Sequence, residues 1–292
     1  MNILMTGATG YLGRRLIGLL AGVGHQVAAI KRVTSTVPET IGALSALRWY
    51  DIEHSPVPDI LEHYGHIDVI LHLATDYGRD RGAPLQPFKV NLALPMSLID
   101  GVLQSGNVAV VNADSFFTAM TDYAYLRSYI LSKRQFLQWG RVLAEEGVLQ
   151  FVNCRIFHMY GPADSDDKFI NRLVRQCREH VPSIALTPGT QRRDFVYVDD
   201  VVNALLIVVN HLEEIDDGFV HYDVGTGEGL SVRTLAETIH RLTRSRSRLC
   251  FGAMPYRQGE PEEMIADNAS LRMLGWAPEI DLDHGIRSVV HP

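Results

Sequence analysis

The sequence has 292 residues, of which 46% are hydrophobic and 21% charged, enough for one large domain or two smaller ones sharing a core. Lys and Arg number 27 against 34 Asp and Glu, a net charge of -7, so no general polyanion-binding surface is implied and nucleic acid is not an expected partner. High apolar content without a long polar tract excludes a disordered chain, and no run reaches the roughly 18–20 apolar residues of a membrane-spanning helix.

Three scattered cysteines, Cys154, Cys177 and Cys250, show no CxxC spacing and fit a reducing compartment. Glycines break the apolar N-terminal run and no basic stretch precedes it, so it does not read as a signal peptide. The expectation is a cytoplasmic protein.

In chain order, 2–5 reads as a strand. A helix follows, in which Leu12, Leu16, Leu19, Leu20 and Val23 recur at helical spacing until Gly24. Strands are expected at 25–30 and 47–50. The stretch 67–73, IDVILHL, is almost continuously apolar, as in a parallel strand buried on both faces, and 107–111 and 150–154 read the same way. Helical patterns at 87–103 and 123–146 lie between them. This alternation predicts a Rossmann-like α/β fold, a doubly wound parallel sheet.

After about residue 157 the rhythm loosens, with Gly161-Pro162, an acidic run at 164–167 and a turn-rich 187–190. A helix is expected after Asp199-Asp200, a strand at 219–225, and Ser231 as the N-cap of the next helix. The predicted organisation is a first, Rossmann-like domain at 1–157, to which a segment near 191–222 returns. The interleaved 158–292 forms a smaller C-terminal α/β substrate lobe.

The segment Thr6-Gly-Ala-Thr-Gly-Tyr-Leu-Gly13 joins the first strand to the first helix. There Gly7 permits a tight turn, Gly10 lets backbone approach a pyrophosphate, and Gly13 lets helix and strand pack closely. The loop residues Gly7, Thr9, Gly10, Tyr11 and Leu12 are therefore assigned to a dinucleotide. The second strand ends in Lys31-Arg32, where an NAD site usually carries a carboxylate. The two cations either read a 2′-phosphate, favouring NADP(H), or form a solvated strand end. In Tyr129-Ile-Leu-Ser-Lys133 the i, i+4 spacing puts a phenol and an ammonium on one helix face. A nearby cation is expected to lower the tyrosine pKa and suit it to proton transfer. No Cys/His set supports a metal site, since His63, His66 and His72 do not share one face.

TGATGYLG, YILSK and RRDFVYVDD together resemble the extended short-chain dehydrogenase/reductase superfamily, in its nucleotide-sugar epimerase, dehydratase and reductase branch, over nearly the whole chain. RIFHMYGP at 155–162 and Arg257-Gln-Gly259 are similar to further signatures of that branch. The resemblance implies that Arg193 and Arg257 hold a substrate diphosphate, a task that suits the guanidinium fork. It further implies that Asp51 and Ile52 lie at adenine, that Leu73, Ala74 and Thr75 lie beside the pyrophosphate and ribose, and that Asn91 and Ile156 line the cofactor. His158 falls near the substrate, in place of the usual Asn, and Tyr77 is a further substrate-side candidate.

One position departs from the pattern. The family's catalytic Ser or Thr aligns with Ala113 in Asn112-Ala113-Asp114-Ser115, and Ser115, two residues on, is the candidate replacement hydroxyl. Thr118 is a weaker substitute. The resemblance lies nearest the CDP-linked dideoxyhexose 4-reductases. The reading is thus an NADPH-dependent reductase of a 4-keto-6-deoxy nucleotide sugar, catalysed by Tyr129, Lys133 and Ser115. An NAD-retaining nucleotide-sugar 4-epimerase is the alternative, and a non-catalytic NADP-sensing regulator is an alternative of another class. Pairing of the long helices into a homodimer is implied by the resemblance.

Overall fold

The computed structural model describes residues 1–42, 44–54, 56–80, 82–120, 123–215 and 218–291. The chain divides into two compact units. The first comprises Met1–Thr118, Leu126–Arg155 and Val202–Tyr222, and the second takes the remaining segments, including 119–125.

The first unit carries a seven-stranded sheet of β1 (Asn2–Thr6), β2 (Gln26–Lys31), β3 (Leu47–Asp51), β4 (Val69–His72), β5 (Ala109–Ser115), β6 (Gln150–Ile156) and β7 (Phe219–Val224). Their order is β7-β6-β5-β4-β1-β2-β3, and the pairs β3/β2, β2/β1, β1/β4 and β4/β5 run parallel. The order reverses between β1 and β4. That is the switch point at which doubly wound sheets open a crevice at their strand C-termini. The doubly wound sheet expected from the alternation is therefore present.

The helices α1 (Gly13–Gly22), α2 (Val57–Tyr64), α3 (Leu94–Leu103) and α4 (Arg127–Glu145) connect successive strands. All four residues of β4 are buried, as a strand covered on both faces requires. The core joins sheet and helix through Leu4, Ile70, Val110, Ile99, Phe136 and Phe151. In α1 the buried residues are Gly13, Leu16, Ile17 and Leu20, whereas Leu19 and Val23 of the expected stripe are exposed.

Two helices differ from their sequence patterns for identifiable reasons. The run expected at 87–103 contains a π-helical turn at Lys89–Ala93. Pro95 has no N–H to give the Asn91 carbonyl and its ring crowds that carbonyl, so the regular ladder opens there. The helix expected to begin at 123 begins at Arg127, because Leu126 adopts a left-handed φ of 57°. A non-glycine residue in that region is strained, by roughly 1–2 kcal/mol, and it stands three residues before Tyr129.

The second unit contains α5 (Phe169–Arg178), the start of α6 (Val198–Asn210), α7 (Val232–Leu242) and α8 (Leu282–Val290). Short strands accompany them, including His158–Tyr160 beside Phe195–Tyr197 and a ribbon of Leu230–Ser231, Arg192–Arg193 and Glu263–Met264. Ser231 caps α7 as expected, its hydroxyl accepting from the Thr234 N–H at 3.0 Å. Among the described residues no helix is long and apolar enough to cross a membrane.

One packing contact makes a stability prediction. A Cβ on Gly140 of α4 would lie 2.2 Å from the ring of Phe151, which is fully buried and in edge contact with Phe136. Gly→Ala inside a helix normally gains about 1 kcal/mol of propensity. Here overpacking outweighs it, and Gly140→Ala is expected to destabilise by about 1–3 kcal/mol. The readout is a lower urea midpoint at unchanged m-value, whereas a raised midpoint would show that the Phe151 ring can recede.

Candidate active site

The glycine-rich loop is built by steric exclusion. Gly7 has a φ of 70°, and a Cβ there would stand 2.6 Å from the Ala74 nitrogen, while one on Gly13 would stand 2.2 Å from the Gly7 carbonyl oxygen. The Gly10 N–H closes the turn by donating to the Gly7 carbonyl at 2.9 Å. Thr6 fastens the neighbouring loop, its Oγ1 accepting from the Ala74 N–H at 3.2 Å. Residues 73–75 therefore lie against the 7–13 turn. Thr9, Gly10 and Tyr11 lead to Leu12 at the N-terminus of α1, which has no side-chain cap. An uncapped first turn beside backbone that tolerates no side chain fits a dinucleotide pyrophosphate.

At the ends of β2 and β3 the structure corrects one expectation. Lys31 and Asp51 are opposite one another in the parallel register and form an ion pair. The cationic strand end therefore has a carboxylate beside it, which reading along β2 alone did not reveal. The side chain of Arg32 is exposed, with no ion pair among the described residues, and Ile52 follows Asp51 in a short turn.

The YILSK residues lie on α4. Tyr129 and Lys133 are 3% and 1% exposed. The Tyr129 hydroxyl is hydrogen-bonded to Ser115, and its ring lies 5.0 Å from that of Tyr77 and 6.2 Å from that of Phe117. Burial pushes the Tyr129 pKa well above the usual range of a phenol, with Tyr77 and Asp114 adding to the rise and Ser115 opposing it. This reverses the expected lowering by Lys133. The ammonium is directed elsewhere, donating to the Ala113 carbonyl at 2.8 Å. The phenol thus keeps its proton. Burial lowers Lys133 to about 8, with Asp114 opposing, and pushes His72 well below its usual range, with Lys133 contributing.

Thr118 is engaged by other groups, its Oγ1 2.8 Å from both Asp114 Oδ2 and the Ser115 carbonyl. Asn91, in the π-turn, uses its amide as a tether. Its Oδ1 accepts from the Asp76 N–H at 2.8 Å, and its Nδ2 donates to the Asp76 carbonyl and to Ser132 Oγ. The loop carrying Tyr77 is thereby fixed to α4. Ile156 ends β6 and is buried.

In the second unit, Arg193 and Arg257 converge on Glu260, a residue the sequence reading passed over. Arg193 Nη2 donates to Glu260 Oε1 at 2.9 Å, and the Arg257 N–H donates to Oε2 at 3.3 Å. The Arg257 side chain donates to Tyr123 Oη at 3.1 Å and stacks 4.0 Å over the Tyr125 ring. His158 is neutral, its pKa lowered to about 3 by burial and by the Arg193 charge. Among the described residues no group of three or more His, Cys, Asp or Glu could hold a metal ion.

A glycine cradle at the switch point and a Tyr–Lys pair behind β5 define an enzyme of the extended short-chain dehydrogenase/reductase class, which uses a nicotinamide dinucleotide. The chain belongs to the NAD dependent epimerase/dehydratase family, whose model matches residues 3–225. It is 33% identical to the CDP-abequose synthase of Salmonella muenchen, over 99% of this chain and 97% of the relative. It is 26% identical to the UDP-glucose 4-epimerase of Azospirillum brasilense, over 99% of this chain and 91% of the relative. Among solved structures, MoeE5 in complex with UDP-glucose and NAD matches with a TM-score of 0.79 and 26% identity, over 99% and 97% of the two chains.

Lys133 makes a pH prediction. With a folded pKa of about 8 against the ordinary 10.5, the unfolded chain binds more protons between those values, so stability relative to a non-titrating residue rises with pH across that window. The stability difference between wild type and Lys133→Met should shift in favour of wild type by about 2 kcal/mol between about pH 7.5 and 9.5. Urea unfolding of both proteins measures it, and a flat difference would mean the ammonium is not desolvated.

Proposed function

We propose that the protein is an NADPH-dependent reductase of a 4-keto-6-deoxy nucleotide sugar. The reading is carried by the Tyr129 phenol, which keeps its proton and is hydrogen-bonded by Ser115 at the C-terminal end of β5. The match to a CDP-abequose synthase over nearly the full length of both chains supports a CDP-linked sugar.

The 7–13 loop and the first turn of α1 would hold the pyrophosphate, Lys133 a ribose hydroxyl, and Arg32 with Lys31 the 2′-phosphate. A bound nicotinamide dinucleotide supplies the hydride. Tyr129 donates its proton to the carbonyl oxygen while Ser115 holds that oxygen, and Tyr129 is then reprotonated from solvent. Arg193 and Arg257 would bind the diphosphate, a task that suits the guanidinium fork. Arg193 must then exchange Glu260 for the ligand.

A second reading is a nucleotide-sugar 4-epimerase that retains NAD and shows no net redox. The Lys31–Asp51 pair favours it, because the pair offsets part of the positive charge that a 2′-phosphate needs. Membership of an enzyme family stands against the non-catalytic sensor. The deciding experiment is a fluorescence titration with NADPH and NADH after assay for carried-over cofactor. A site that is purified empty and prefers NADPH supports the reductase. Protein that arrives loaded with NAD and ignores NADPH overturns it.

Three variants refine the reading. Arg32→Ala is expected to weaken NADPH about tenfold to a hundredfold while sparing NADH. Tyr129→Phe should lower kcat about 10²–10⁴-fold with dinucleotide affinity retained. Ser115→Ala should lower kcat about tenfold to a hundredfold, and full activity would remove that hydroxyl from the chemistry.

We further propose that a second copy of the chain covers α4, where Leu131 and Trp139, at i and i+8, are 57% and 50% exposed, with Val142 continuing the stripe. Sedimentation velocity should then find a dimer for wild type and a monomer for Leu131→Glu/Trp139→Glu.

A further inference from the structure

Beneath Tyr129 and Lys133 lies a carboxylate that the reaction as proposed does not use. Asp114, on β5, is 3% exposed. Its Oδ2 accepts from Thr118 Oγ1 at 2.8 Å and from Asn153 Nδ2 at 3.1 Å. Asn153 is itself held across the sheet, accepting from Asn112 Nδ2 at 2.8 Å and placing its own Nδ2 3.0 Å from His221 Nδ1. Four side chains from β5, β6, β7 and the turn after β5 therefore fix one oxygen of Asp114. The other oxygen, Oδ1, is fully buried and has no hydrogen-bond partner among the described residues.

A buried carboxylate with a bare oxygen is costly unless an opposite charge stands near. The titratable groups around it come from every packed element. His72 on β4 is neutral, Tyr129 on α4 holds its proton, and burial pushes the Cys154 thiol on β6 up to about 12. Arg134 on α4 donates to the Thr118 carbonyl from the less buried side. The fully buried cation is Lys133, bonded at 2.8 Å to the carbonyl of Ala113, the residue before Asp114. Each charge is nine-tenths or more withdrawn from water, and the Asp114 charge favours the ammonium form of Lys133.

We propose that Asp114 is a positioning residue. Its carboxylate, clamped by Thr118 and Asn153, is the fixed counter-charge that keeps Lys133 an ammonium directed at the floor of the site, and this rests on the assignment of Lys133 to the dinucleotide. The network explains the choice of residues. Asn112 and Asp114 share a face of β5, and Asn153 reaches both.

The chain suits a direct test, because it has four lysines, Lys31, Lys89, Lys133 and Lys168. Protein labelled with carbon-13 at lysine Cε gives four signals, and Lys133→Arg identifies the buried one by removing it. In Asp114→Asn the titration of the Lys133 signal should move down by about one pH unit, with the other three unmoved. NADPH affinity, followed by fluorescence, should begin to fall about one pH unit lower than in wild type. In a Lys133→Arg background Asp114→Asn should leave the pH dependence unchanged, since arginine stays charged.

An Asp114→Asn protein whose Lys133 signal titrates as in wild type overturns the proposal. So does an affinity reduced equally at every pH, which is what a purely structural role would give. If the new Nδ2 against the donor on Asn153 prevents folding, Asp114→Ser, smaller and uncharged, carries the same test with the same expected shift. A shifted Lys133 signal with unaltered affinity would keep the charge pairing and refute the assignment of Lys133 to the dinucleotide.

Discussion

The Lys133 ammonium lies almost wholly out of water between β5 and α4, and a desolvated cation constrains everything around it. It needs an acceptor, which the Ala113 carbonyl provides at 2.8 Å, and an opposing charge, for which Asp114 is placed. Burial keeps His72 on β4 neutral, and the Lys133 charge adds to that. The same burial holds the proton on Tyr129, so the environment that makes the lysine a weak acid-holder makes the tyrosine a firm one. A dry pair of this kind separates two pKa values that would otherwise lie close together.

Much of the first unit was legible from period and punctuation. Continuous apolar runs marked the covered strands, the glycines at 7, 10 and 13 marked the turn at the switch point, and Gly24 marked the end of α1. These signals work because they are local: one strand's burial or one turn's steric limit is written in consecutive residues. The family resemblance rested on the same local words and is met by the match over residues 3–225.

The features that were not legible depend on neighbours across the sheet or on departures from regular backbone. Lys31 meets Asp51, twenty positions away, only because β2 and β3 pair in that register. The raised Tyr129 pKa comes from burial together with Tyr77 and Asp114, arriving from two other segments. The contact of Arg193 with Glu260 joins residues 67 apart. The late start of α4 turns on one left-handed leucine, which no propensity would select. A one-dimensional reading found Arg193 and Arg257, but not the carboxylate that occupies the first or the tyrosines that hold the second.

The π-turn at Lys89–Ala93 bears on how this chain can change over time. A π-turn winds in more chain than a regular helix uses, so the helix beyond it is rotated by about 100° relative to uninterrupted winding. Regular winding of the same residues would swing Leu98, Ile99 and Val102 out of the core. It would also detach Asn91 from Asp76 and Ser132, releasing the loop that presents Tyr77. The identities of Asn91 and Pro95, and not the length of the stretch alone, are therefore what a changing sequence has to keep.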